Sequence, residues 1–217
     1  MDLSDLTSIK PAVEGFTTQE SRIDVLINNA GVMFPPDGSR DAQGNDLQMG
    51  TNCLGPYLLI RVLWAGSIAV HVGTPNRQGI IIDANGQPED KGVKANYGQT
   101  KVGNVFIARE LAKTTAETGV VHAAFNPGNL RTELQRHWTG LDHWIVDKTI
   151  LYPPIFGAYT ELWTSLAPEL APDRSGAYAY PWGRLGALPD GIEESLTHSG
   201  ISERFLQWCE SQTREFI

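Results

Sequence analysis

Two apolar runs, each closed by a turn rich in Asn, Gly or Pro, limit the folds open to this chain of 217 residues. Ile23-Asp24-Val25-Leu26-Ile27 leads into Asn28-Asn29-Ala30-Gly31, and Val120-Val121-His122-Ala123-Ala124-Phe125 leads into Asn126-Pro127-Gly128. A near-continuous apolar strand, rather than an alternating one, is what burial on both faces of a parallel sheet requires. Between the two runs the pattern predicts a helix over Gln48 to Leu63, continuing through Trp64, Ala69 and Val70. A second helix is predicted from Tyr97 to about Thr115, with Val102, Val105, Phe106, Ala108, Leu111 and Ala112 on one stripe. Strands of this kind separated by helices belong to an α/β fold.

The second helix opens on Asn96-Tyr97-Gly98-Gln99-Thr100-Lys101. Tyr97 and Lys101 stand four residues apart, so they share one helix face one turn apart. A phenol ordinarily titrates near pH ~10, and an ammonium beside it favours the phenolate. A tyrosine tuned in this way exchanges a proton with an alcohol or carbonyl oxygen. The plainer reading of the pair is a surface cation lying along a half-buried ring.

The two strand-turn segments and the Tyr-Lys pair, in this order and spacing, resemble the short-chain dehydrogenase/reductase family, and the likeness runs from Asp2 to the C-terminus. Tyr180-Pro181-Trp182-Gly183-Arg184 and Trp208-Cys209-Glu210 are similar to a fungal branch of it. The resemblance implies a Rossmann-like parallel sheet with helices on both faces, in one domain spanning 1–217. It implies an NADP(H)-dependent oxidoreductase interconverting a secondary alcohol and a ketone in fungal secondary metabolism, with NADP inferred from the branch. Tyr97 would be the proton donor or acceptor. Lys101 would lower its pKa and hold the nicotinamide ribose, and Asn52 would anchor a water relay or, more plainly, bind a backbone carbonyl in the core. Implied cofactor contacts are Asp2 and Leu3 at the adenine, and Asn29 with Ala30 and Gly31 at the first turn. Pro127, Gly128, Leu130 and Thr132 would meet the nicotinamide, alongside Tyr97 and Lys101. Arg61 either approaches a phosphate or faces solvent.

Two parts of the family pattern are not matched. No G-x-x-x-G-x-G turn occurs, so the first strand, the pyrophosphate-cradling turn and the ribose-reading residues are expected to be missing. The serine that stabilises charge on the substrate oxygen is also expected to be missing. Either Ile80-Ile81-Ile82 is its strand, with Asp83, Ala84 and Asn85 following, or Gly79 to Gly92 is the next loop and the strand is absent. The second alignment is preferred, and Ser67 is assigned to the preceding helix. An alternative function follows: a catalytically inactive remnant that binds a small molecule or depends on a partner, with weak dinucleotide binding unless another chain completes the sheet.

The remaining features set bounds. A net charge of -8 argues against nucleic acid, since phosphate binding needs clustered Lys and Arg. Cys53 and Cys209 have neither metal nor disulfide spacing, and no metal site is expected. Without a basic-apolar leader or a span of ~20 apolar residues, the expected location is the cytoplasm, away from membranes. Residues 132–172 match the family's substrate lid, and Trp138, Trp144, Tyr152, Phe156, Tyr159 and Trp163 there suit a bulky apolar or aromatic ketone or alcohol, or pack the core. His137 and His143 read as surface or packing residues. A homodimer or homotetramer is implied by resemblance alone.

Overall fold

The structure, a computed structural model, describes residues 1–59, 63–135 and 148–217. It is an α/β fold: a mostly parallel sheet flanked by helices. In chain order come α1 (Ile9–Thr17), β1 (Ile27–Asn28) and α2, which joins Leu47–Met49, a π-helical turn over Gly50–Leu54, and Gly55–Leu59. Then follow β2 (Leu63–Ala65), α3 (Ala69–Val72), α4 (Val93–Thr114) and β3 (Ala123–Phe125). The chain closes with α5 (Ile155–Leu166), β4 (Ala177–Tyr180), β5 (Arg184–Leu185), α6 (Asp190–Thr197) and α7 (Ile201–Thr213). Among the described residues the strands lie side by side in sequence order. β1 to β4 run parallel, and β5 turns back antiparallel to β4.

The segment Leu63-Trp64-Ala65 is not helical, as its apolar surroundings suggested. It is a strand paired on both sides, Leu63 with Ile27 and Ala123, Trp64 with Asn28 and Ala124. The reason lies in what each residue buries. Trp64 points with Ala124 and Tyr178 into the core beneath α4, α6 and α7. Leu63 and Ala65 join Ala123, Phe125 and Ala179 on the opposite face, where Trp163 of α5 and Leu170 beyond its end cover them. Alternation with period two satisfies both layers, and a helix would satisfy one.

The other strands are shorter than their apolar runs. Ile23 and Val25 are exposed, and Arg22 and Asp24 between them form a surface ion pair at 2.5 Å. Among the described residues the pairing of β1 with β2 begins at Ile27 and Leu63, and Leu63 N donates to Leu26 O at 3.1 Å. Val120 is likewise exposed, and β3 begins at Ala123. The residues Gly79 to Gly92 are a loop as preferred, its arms joined by bonds from Asp83 N to Gln87 O (3.0 Å) and Glu89 N to Ile81 O (2.8 Å). A strand that was read as helix, β2, lies between β1 and β3.

Candidate active site

Tyr97 and Lys101 lie on the buried face of α4, 6% and 4% exposed. The Lys101 ammonium sits over the Tyr97 ring, 5.5 Å from its centroid. Its Nζ donates to Ala65 O at 3.3 Å, and Asn104 Nδ2 donates to the same carbonyl at 2.9 Å. The end of β2 is thus held from α4 by two side chains, one of them cationic.

The pKa values run against the sequence expectation. Burial pushes the Tyr97 phenol up to about 12, and only a Ser67 contact pulls it back. Burial also brings the Lys101 ammonium down to about 8. Desolvation penalises whichever form is charged, and here it outweighs any help that the pair gives itself. In this state Tyr97 is a protonated phenol at neutral pH.

Ser67 is the site residue that the sequence reading set aside. Two residues past β2, it reaches the Tyr97 phenol from the sheet side. The turn carrying it is fixed at three points: Gly66 N donates to Phe125 O at 2.7 Å, Tyr178 Oη donates to Ser67 O at 3.1 Å, and Ala69 N donates to Ser67 Oγ at 3.2 Å. Residue 66 has to be small, because a Cβ there would lie 3.0 Å from Phe125 O and 3.1 Å from the Tyr178 ring. The signal in the sequence was faint: three apolar residues followed by Gly-Ser.

Asn52 sits in the π-helical turn of α2, a distortion found most often at functional sites. Its Oδ1 accepts from Val32 N at 2.8 Å, and its Nδ2 donates to Val32 O at 3.0 Å and Thr100 Oγ1 at 3.1 Å. These are the backbone contacts of the plainer reading, and they clamp the loop after β1 against α4. Gly31 lies within that clamp: a Cβ there would come 2.8 Å from Asn52 Oδ1 and 3.8 Å from Lys101 Nζ.

An apolar cluster surrounds the phenol. Met33, Ala69 and Tyr97 are buried together, with Phe34 and Leu134 packed against them. Phe34 meets Tyr97 edge-on, ring centroids 5.6 Å apart at 73°. Leu134 belongs to the short turn Glu133–Gln135, capped by a bond from Leu134 N to Thr132 Oγ1 at 3.3 Å.

The remaining candidates spread around this centre. Asn29 and Ala30 are exposed on the turn after β1, whereas Asn28 is the buried asparagine there. Gly128 has φ +95, and a Cβ on it would lie 2.7 Å from the Trp182 ring. Leu130 bridges to Tyr152 and, with Pro127, is half-buried. Leu3 packs against Gly55 on α2. Asp2 caps its own turn, accepting from Ser4 N at 2.9 Å and Ser4 Oγ at 2.7 Å, which lowers its pKa. Arg61, His137, Trp138, His143 and Trp144 lie outside the described residues. Two surface cavities, about 430 and 290 Å³, open elsewhere: one between α3 and the start of α6, the other beside Arg40, Asp46 and Asp90. No group of three or more His, Cys, Asp or Glu suited to a metal occurs among the described residues. No described helix is long and apolar enough to cross a membrane.

Comparison with known proteins completes the description. The sequence profile of a family described as short chain dehydrogenase matches residues 1–140. The chain is 37% identical to a short-chain dehydrogenase/reductase of Phomopsis amygdali, aligning over 100% of this chain and 73% of that protein. It is 32% identical to one of Pestalotiopsis fici, over 100% of this chain and 72% of that protein. Among solved structures, an uncharacterised protein from Mycobacterium paratuberculosis superposes with a TM-score of 0.67 at 24% identity, covering 99% of this chain and 74% of its own. The Pseudomonas aeruginosa RhlG complex with NADP gives 0.58 at 21% identity, covering 82% and 72%. A Leptospira borgpetersenii short chain dehydrogenase with bound NAD+ gives 0.56 at 19% identity, covering 84% and 72%.

Proposed function

This chain belongs to the short-chain dehydrogenase/reductase family, and from that premise we propose that it is an NADP(H)-dependent reductase of a ketone to a secondary alcohol, working in fungal secondary metabolism. The observation that carries the reading is the meeting of Ser67, Tyr97 and Lys101 where β2 ends against α4.

The residues fit the nicotinamide end of a dinucleotide. Residue 31 has to be glycine where the β1 turn meets Asn52 and Lys101, since a Cβ there would lie 2.8 Å from Asn52 Oδ1 and 3.8 Å from Lys101 Nζ. Gly31, Asn29 and Ala30 on one side and Pro127, Gly128, Leu130 and Thr132 on the other would flank the nicotinamide, with Lys101 at its ribose. Asp2 and Leu3 are the proposed adenine contacts. The nucleotide, when bound, supplies the hydride, and the protein supplies position and charge. Ser67 Oγ donates a hydrogen bond to the carbonyl oxygen and steadies the negative charge that develops there. Tyr97, kept protonated by burial, gives its proton to that oxygen, which sets the resting site for reduction. Lys101, still charged below about pH 8, stabilises the phenolate left behind. Asn52 holds the β1 loop so that these groups keep their spacing.

The test is a titration of NADPH against tryptophan emission, followed by turnover of aromatic ketones at neutral pH. Tyr97→Phe is expected to retain binding and lose about 10²–10⁴-fold in kcat. Activity that survives Tyr97→Phe removes the phenol from the reaction.

A second reading is favoured by one observation. β1 has a sheet neighbour on one side only among the described residues, and they include no glycine-rich helix start to receive a pyrophosphate. On that reading the chain is an inactive relative acting through a partner, and the titration shows no NADPH binding.

A further inference from the structure

Phe34 has φ +52, in the left-handed region that non-glycine residues avoid. It also precedes Pro35, and a proline pushes the residue before it towards extended backbone. Such a conformation persists only where the surroundings hold it, and it clusters at ligand clamps and active sites. The hold is visible. Phe34 N donates to Gln48 Oε1 at 3.1 Å, and the wholly buried Gln48 side chain donates in turn to Val93 O at 2.9 Å, at the first residue of α4. One side chain thus ties the strained residue to the helix that carries Tyr97. The outcome is the edge-on contact of the two rings, within an otherwise aliphatic wall of Met33, Ala69 and Leu134.

We infer that Phe34 is a specificity-determining residue: its ring selects ketones bearing a flat aromatic group next to the carbonyl, which lies against it when the oxygen reaches Ser67 and Tyr97. This rests on the reading of Tyr97 and Ser67 as the carbonyl site. Aromatic rings prefer edge-to-face or offset contact with one another, and Phe34 is aimed to offer it. Met33, Phe34, Ala69 and Leu134 make that wall apolar, which suits an uncharged substituent.

The experiment measures binding of 2-acetonaphthone and 2-octanone by saturation-transfer NMR without nucleotide, then NADPH-driven turnover of both. The proteins are wild type, Phe34→Ala, Phe34→Leu and Tyr97→Phe. Wild type is expected to bind the naphthyl ketone about tenfold more tightly. Both Phe34 variants bring the two ketones within about threefold of each other, and Tyr97→Phe keeps the preference. Phe34→Leu preserves bulk and serves if Phe34→Ala does not fold. Equal binding in wild type, or a preference that survives both Phe34 variants, overturns the inference. A Phe34-dependent preference without turnover removes the reductase reading alone, and turnover without that preference removes this inference alone. Absence of both removes both.

Discussion

Lys101 carries its ammonium where water barely reaches, and its pKa falls from an ordinary 10.5 to about 8. The unfolded chain keeps that proton up to its ordinary value. Between about pH 8 and 10.5 the unfolded state therefore binds more protons, and stability rises with pH by up to about 3 kcal/mol. Tyr97 works the other way above pH 10, because its folded phenol stays protonated to about 12 while the unfolded one ionises. Urea unfolding at half-unit pH steps is expected to peak near pH ~10, and Lys101→Met to flatten the rise below it. Ser67→Ala is expected to lower kcat about 10²-fold with NADPH affinity unchanged, read by steady-state kinetics beside the energy-transfer titration. At this scale the i, i+4 spacing of Tyr97 and Lys101 was legible because a helix alone sets it. The sign of the Tyr97 shift was not, since it comes from layers that other parts of the chain lay over the ring.

β2 decides the site at the scale of elements. Leu63-Trp64-Ala65 continues an apolar stretch from Tyr57 with no Gly or Pro to mark a change of period, so it reads as helix. Its strand character comes from β1 on one side and β3 on the other, neighbours that no local pattern announces. Hiding β2 hid Ser67 with it. By contrast β1 and β3 fall at the ends of the two predicted runs, sharing Ile27 and Ala123 to Phe125 with them, because Asn- and Gly-rich turns punctuate those ends while the starts of the runs lie exposed. Two substitutions probe the element. Trp64→Ala, which empties a fully buried site facing α4, is expected to cost about 3–5 kcal/mol in denaturant unfolding. Gly66→Ala is expected to cost about 1–3 kcal/mol, since its new methyl meets backbone at Phe125 and the ring of Tyr178.

The whole molecule leaves one helix uneven. Ile155, Tyr159, Leu162 and Leu166 form a single stripe along α5, and each is more than half exposed. The sequence offered lid or core packing for this aromatic stretch; Trp163 does pack against the sheet, while Tyr159 lies on the bare side. A stripe of this kind promotes association. Leu162→Lys with Leu166→Glu is expected to leave the melting temperature within about 2 °C and to lower light scattering at high protein concentration. The overall architecture was legible from two strand-turn segments, but which faces would be covered depends on how the parts stack. The bond from Gly66 N to Phe125 O has a further consequence. Its proton trades with deuterium only when β2 and β3 part, so the uptake rate at that one amide is a clock for how often the sheet comes open beside Ser67.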